Sequence, residues 1–464
     1  VLRPTLPLLG ALLLAGCGAE QPAAGPAPTV REPFHVEDGF LRDGDGRAML
    51  LRGLNLSGQH KYAPYFDFQQ PPDYVRVRAD WGMNAIRFLV IWAAIEPQEG
   101  VYDDEYLDEV AKRMDWARDA GLTVVLDMHQ DVYGEGFASG GGDGAPKWTC
   151  DASNYASFVP DPTHWYFNNL TPQVTACWDH FWHTPGLRAH YAEAWRRLAA
   201  RLAGYEGTIA GFDVMNEPYW GSYLITGFES DLLEPFYEDV VRAVRAERPG
   251  WAAFLEPSSS RNIGVPTELT PFPFPDVVYA PHSYDANAEM GNGFDPTHRA
   301  SILMNAAALG AEARGLDAAL WVGEYGGNGT QPGIYDYMDA EYTGIAAVAG
   351  GSTYWHYGRD DGYGVLDPTG AEKPDLMRAL VRPWPERVAG TPTSFAFDGK
   401  SSTFTLRYHA DRKLTAPTEI MIPARVYPAG YQVRCGGCTV ERDEGRLRIL
   451  TPPPGDEAVV VVSP

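Results

Sequence analysis

Basic residues are scarce in this chain: 37 Lys and Arg stand against 61 Asp and Glu, a formal charge of −24 over 464 residues. A phosphate backbone needs Lys or Arg to displace its counterions, and no basic run with interleaved aromatics occurs, so a nucleic-acid partner is excluded. The apolar run Leu6–Leu14 is too short to cross a bilayer as a permanent helix. Cysteine is sparse, at five residues. With Cys17 set aside, four remain, and locality favours pairing Cys150 with Cys177 and Cys435 with Cys438. Cys435-Gly-Gly-Cys438 also has the spacing of a zinc or redox site, but no second pair of ligands lies nearby, which favours the disulfide.

What is present is a large core. Hydrophobic residues make up 45% of the chain and aromatics 12%, so it is globular rather than disordered. The length exceeds one ordinary domain and suits an α/β barrel of roughly 250–350 residues with a small companion. Tyr and Trp, at 25 and 13, offer flat faces suited to sugar rings, although core packing accounts for most of them. The start reads as a targeting segment: Arg3, an apolar run, then Leu14-Ala15-Gly16-Cys17, which resembles a bacterial lipobox. Residues 1–17 are therefore expected to be a lipoprotein-type signal with lipidation at Cys17; an ordinary signal peptide is the alternative. Residues 18–33, rich in Ala, Pro and Gly, read as a flexible tether. A secreted, cell-surface or periplasmic location follows, and export permits disulfides.

From residue 34 to 383, short apolar runs alternate with amphipathic stretches, the pattern of repeated βα units. The strands are expected at Met49–Leu56, Asn84–Ile91, Thr123–His129, Ile209–Asn216, Ala252–Glu256, Val277–Ser283, Ala319–Tyr325 and Ser352–His356. Helices are expected at Tyr74–Trp81, Asp104–Ala120, Gly186–Ala203 and Phe236–Glu247. Eight strands close a (β/α)8 TIM barrel, with Phe34–Gly46 as a hairpin plugging its bottom. Residues 384–464 lose helical period and read as a small all-β sandwich that packs on the barrel, structural rather than carbohydrate-binding.

Sites on such barrels form where the strands end. Strand four ends in Asp213-Val214-Met215-Asn216-Glu217-Pro218 and strand seven in Trp321-Val322-Gly323-Glu324-Tyr325-Gly326. Two glutamates facing each other across the mouth suit glycoside cleavage, in which one carboxylic acid protonates the leaving oxygen and one carboxylate attacks the anomeric carbon. Glu96-Pro97 and Glu256-Pro257 lack the preceding amide and read as decoys. The insertion Gln130–Thr184 is too long to be a passive βα loop.

These motifs, with Arg52-Gly53-Leu54-Asn55, Asn84-Ala85-Ile86-Arg87, Asp127-Met128-His129-Gln130, His282-Ser283-Tyr284 and Trp355, resemble family five of the cellulase-like clan of retaining glycosidases. Asp127 through Gly136 and Gly144-Ala145-Pro146-Lys147-Trp148 resemble the endoglycoceramidases more narrowly. The resemblance implies that Glu324 is the nucleophile and Glu217 the acid/base. It implies that Arg87 and Tyr284 support Glu324, that Asn216 meets the sugar 2-hydroxyl, and that Trp355 stacks on the reacting sugar. His129 and His282 are expected to contact hydroxyls or glutamates, and Lys61 and Asp131 match sugar-binding positions. No metal or cofactor is expected.

The expected reaction is double displacement on a β-glycoside, with a bond between glycan and ceramide favoured. Trp220, Tyr223, Leu224 and Phe228, after the acid/base, are expected to line the aglycone side of the cleft. Membrane contact would come from this rim and the lipid anchor, and a monomer is expected. The same chemistry on glucosylceramide, a steryl glucoside or a β-glucan is the first rival. A non-catalytic glycan-binding surface lipoprotein is the second.

Overall fold

The computed structural model describes residue 1 and residues 34–464, apart from residue 444. The expected signal segment, Cys17 and the tether lie outside the described residues. No described helix is long and apolar enough to cross a membrane.

Eight parallel staves close a barrel: Arg52–Leu56, Ala85–Ile91, Thr123–His129, Ile209–Asp213, Ala252–Leu255, Val277–Tyr279 continued by His282–Ser283, Ala319–Gly326 and Gly351–Trp355. The last pairs back onto the first, Ser352 opposite Arg52. The sixth stave is one run in the sequence but two in space. Pro281 has no N–H to donate, and the ladder resumes only at His282, opposite Glu324. Gly53 shows how tightly the staves meet, since a Cβ there would lie 1.7 Å from the Ala85 carbonyl oxygen.

The expected first strand is also divided. Ala48–Met49 leaves the barrel and pairs with Trp384–Val388. That pairing joins the N-terminal hairpin, Phe34–Glu37 and Phe40–Asp43, to strands Thr418–Met421, Arg446–Thr451 and Thr439–Asp443 in one sheet of seven. The hairpin still plugs the barrel: Phe34 and Leu41 pack with inward residues such as Val125, Phe254 and Trp321. A second sheet of four strands, Gly390–Asp398, Thr403–Ala410, Ala458–Ser463 and Gln432–Arg434, completes the β region. Phe395, Phe404, Leu406, Ile420, Leu447 and Val460 fill its core, with Tyr342 and Ala346 of the barrel helix Ile334–Ala347. The β region therefore shares a sheet with the N-terminal hairpin and a core with the barrel.

The insertion after the third stave folds into short helical turns and the helix Pro172–His183, which buries Val174, Trp178, Phe181 and Trp182. Its proline at the first helical position costs no hydrogen bond. Cys150 and Cys177 are joined across it, with Cα atoms 5.4 Å apart, and Cys435 is joined to Cys438.

Candidate active site

Arg87, from the second stave, is wholly buried at the centre of the mouth. Its guanidinium reaches Asp213 Oδ2 at 2.9 Å, Glu256 Oε1 at 2.9 Å, Asp127 Oδ1 at 2.9 Å and Glu324 Oε1 at 2.6 Å. It also donates to the side-chain oxygens of Asn55 and Asn216, at 3.1 and 3.0 Å. A planar, permanently charged fork with five donors in fixed directions can hold more acceptors at once than the three donors of a lysine ammonium.

Glu324 receives two constraints. Arg87 holds Oε1, and the Tyr284 hydroxyl donates to Oε2 at 2.8 Å. Burial alone would raise its carboxyl, but His282, Arg87 and His129 outweigh burial and hold it below the usual carboxylate range. Glu324 is thus an aligned, ionised carboxylate.

Glu217 sits where the chain leaves the fourth stave, with φ +41°, a left-handed backbone that costs a non-glycine residue about 1–2 kcal/mol. Three bonds pin the turn: Glu217 N–H donates to Glu256 Oε2 at 2.9 Å, and Gln130 Nε2 donates to the carbonyls of Asn216 and Glu217 at 2.8 and 3.1 Å. The Glu217 carboxyl stays partly open, 23% exposed, and meets Asn262 Nδ2 and His282 Nδ1, both at 2.7 Å. Burial opposes charge on His282, but Glu256 and Glu324 overcome it and raise the imidazole well above its ordinary range. One oxygen each of Glu217 and Glu324 lie within 4.8 Å of each other.

Beside this pair stands a second group. His129 Nδ1 lies 2.7 Å from Asp127 Oδ2, and the His129 ring stacks on Trp355 with centroids 5.3 Å apart. Burial would lower His129, yet Asp127 carries it up to about 9. Lys61 is hydrogen-bonded to Asp131 and lies 4.7 Å over the Trp355 ring. Burial would raise Asp131, but Lys61 and His129 bring it down to about 2. The site residues expected from the strand ends therefore converge: Arg87, Asn216, Glu217, His282, Tyr284 and Glu324 form one group, and Lys61, His129, Asp131 and Trp355 the other.

Two sets of side chains are close enough to grip a cation, His129–Asp131–Asp143 and Glu217–His282–Glu324. The protein supplies its own positive charge to each. The Lys61 ammonium stands among the first, and His282, held charged, belongs to the second.

The aglycone rim is only partly as expected. Trp220 and Tyr223 are half-buried, Trp220 stacked on Tyr219 at 4.1 Å and the Tyr223 hydroxyl donating to Asp231 at 2.6 Å. Leu224 is 75% exposed. Phe228 corrects the expectation: it is fully buried, packed edge-on to Trp182 at 5.1 Å, and supports the loop from beneath. A hydrophobic residue after the acid/base can face the cleft or the core, and helix Pro172–His183 supplies a core.

Glu256 is the second correction. Read as a decoy, it binds Arg87, His282 and the Glu217 N–H. Its place at the end of a stave was the available signal. Asn262, in the turn Ser259–Ile263, carries no motif at all. Glu96, in contrast, takes Trp92 Nε1, Gly100 N–H and His190 at 2.7–3.0 Å and stays outside the site.

Two carboxylates with oxygens within 4.8 Å of each other, one held ionised and one partly open, fit the paired carboxylates of a retaining glycoside hydrolase. The family follows from comparison with known proteins. The glycosyl hydrolase family 5 cellulase model matches residues 43–361 and the family's C-terminal domain model matches 382–462, and the chain belongs to glycosyl hydrolase family 5. It is 29% identical to endoglycoceramidase I of Rhodococcus hoagii, over 89% of this chain and 84% of that one. It superposes on endo-glycoceramidase II from Rhodococcus sp., solved in complex with ganglioside GM3, with a TM-score of 0.82 and 33% identity, covering 92% of this chain and 99% of that one. Sterylglucosidase 1 of Cryptococcus neoformans shares the fold, with a TM-score of 0.78 at 17% identity over 93% of this chain and 97% of that one.

Proposed function

We propose that this hydrolase cleaves the β-glycosidic bond between the glycan and ceramide of glycosphingolipids, with Glu324 as nucleophile and Glu217 as acid/base. The observation that carries the roles is the difference between the two carboxyl groups. Glu324 is buried, ionised and held on both oxygens; Glu217 is partly open and bonded to side chains on one oxygen only. Glu324 attacks the anomeric carbon while Glu217 gives its proton to the departing ceramide oxygen. Glu217 then takes a proton from the water that opens the glycosyl-enzyme, and Glu324 leaves as a carboxylate. Asn216 Nδ2 spends one hydrogen on the Gln130 carbonyl at 3.1 Å and has a second for the sugar 2-hydroxyl. Trp355, with Lys61, His129 and Asp131 around it, forms the glycone wall.

The lipid preference rests on the two endoglycoceramidases to which the chain is similar and on the residues flanking Glu217. Leu224 and Ile263 are each 75% exposed, and Ile263 follows Asn262, which touches the acid/base. Exposed aliphatic side chains there suit an acyl-chain leaving group. Export, a lipid tether at Cys17, membrane contact through this rim and a monomeric state complete the proposal; the two disulfides support export.

Incubation of the purified protein with ganglioside GM3, with the products weighed by mass spectrometry, tests the reading. Intact oligosaccharide plus free ceramide is the expected result. Release of glucose from glucosylceramide or a steryl glucoside with GM3 left intact would replace it with the rival substrate class.

A further inference from the structure

Asp143, in the insertion after the third stave, is 0% exposed, and neither of its side-chain oxygens accepts a hydrogen bond. A buried carboxylate without donors is costly unless a charge compensates it. Lys61 is that charge: its Nζ stands 3.7 Å from Asp143 Oδ2 while bonded to Asp131. Among the described residues, Asp131 and Asp143 are the only carboxylates within ion-pair reach of this ammonium.

The backbone builds the arrangement. Asp131 and Asp143 form an isolated antiparallel bridge, with N–H to carbonyl contacts of 3.2 and 2.9 Å, which brings both carboxyl groups to one ammonium. Gly144 follows at φ +107°, and a Cβ there would lie 2.4 Å from the Gln130 side chain. Only glycine lets the loop press so closely on the end of the third stave. Burial pushes the Asp143 carboxyl up to about 7 while Lys61 pulls it down, so its charge depends on Lys61 staying near.

Lys61 and Asp131, the groups expected to meet sugar hydroxyls, are bonded to each other. Lys61 is bonded to Asp131 Oδ2, and a sugar hydroxyl that competes for that oxygen weakens the bond, so the ammonium then leans on its other counter-ion to remain beside Trp355. We propose that Asp143 is a positioning residue for sugar binding, the counter-ion that keeps the Lys61 ammonium in the glycone pocket when a sugar hydroxyl competes for Asp131. This rests on the glycosidase reading of the pocket and is independent of the lipid.

Calorimetric titration with isofagomine, a glucose-configured iminosugar without an aglycone, reads sugar binding apart from turnover. Asp143→Asn keeps the shape and removes the charge. It should weaken isofagomine about tenfold and raise KM for nitrophenyl β-lactoside by a similar factor, with kcat within about twofold. In a Lys61→Met background the same change should alter affinity by less than about twofold, because the two residues act as a unit. Wild-type affinity in Asp143→Asn overturns the proposal. So does an equal loss with and without Lys61, or a fall in kcat at unchanged affinity. Asp143→Ser is carried alongside, so a folding failure of one variant leaves the other to decide. Failure of the lipid reading looks different: the unmodified protein would bind isofagomine and leave lactosylceramide intact.

Discussion

The backbone N–H of Glu217 donates to Oε2 of Glu256 at 2.9 Å, while the other Glu256 oxygen takes Arg87 at 2.9 Å and faces His282 Nε2 at 3.2 Å. One carboxylate thus fixes the left-handed turn that presents the acid/base and balances the two cations between the paired glutamates. Glu256→Gln replaces one acceptor by an amide NH2, which must face a donor either at the turn or at the cations. The expected cost is about 3–5 kcal/mol of folding stability, together with a fall in kcat on a nitrophenyl glycoside at little-changed KM, because the turn that presents Glu217 is loosened. A variant with wild-type kcat would show that Glu256 only fills space.

The assigned roles predict opposite rescue patterns. Glu324→Ala should abolish hydrolysis, and azide should restore turnover by attacking from the vacated face. Glu217→Ala should keep kcat/KM for a dinitrophenyl glycoside, whose leaving group needs no proton in the first step, lower its kcat because the base of the second step is gone, and lose activity on a glycolipid. The azide product should be the α-glycosyl azide from Glu324→Ala and the β-glycosyl azide from Glu217→Ala, and the opposite pairing would reverse the assignment.

Stability should carry a pH signature from Glu341, which lies behind the sixth stave, accepts from Ser283 Oγ at 3.1 and 3.3 Å, and is pushed by burial up to about 8. The folded chain binds this proton more tightly than the unfolded chain, whose carboxyl titrates at its ordinary 4.5. The contribution is therefore fully present below pH ~4.5 and is lost progressively as pH rises toward ~8. Glu341→Gln removes that dependence. Between pH 5 and 8 the variant should gain on the order of 3 kcal/mol relative to wild type in urea unfolding. A difference that stays constant between the two pH values would contradict this.

The loop after the fourth stave should separate by burial. Leu224→Ser with Ile263→Ser should raise KM for lactosylceramide and leave nitrophenyl β-lactoside almost unchanged, because each methylene withdrawn from water contributes about 0.8 kcal/mol. Phe228→Ala should instead lower stability by about 3–5 kcal/mol through the cavity beneath the loop. Equal effects of the rim pair on both substrates would remove the acyl-chain reading of this side.

Much of the architecture was written locally. Alternating apolar runs specified the barrel because a buried parallel strand and an amphipathic helix each impose a period that neighbouring residues must satisfy. Asn216-Glu217-Pro218 and Gly323-Glu324-Tyr325 marked the paired carboxylates because strand ends are where a barrel exposes side chains to its mouth. Other features were decided only by tertiary contact. Glu96 and Glu256 are both buried glutamates followed by proline, yet one meets His190, 94 positions away in the chain, and the other Arg87, 169 positions away. The edge of the hairpin sheet passed to Trp384–Val388, Phe228 went under its loop, and Asp143 found Lys61. In each case the residue type was compatible with more than one environment. Burial and charge pairing act through space, so the choice was made by partners far along the chain that local period does not encode.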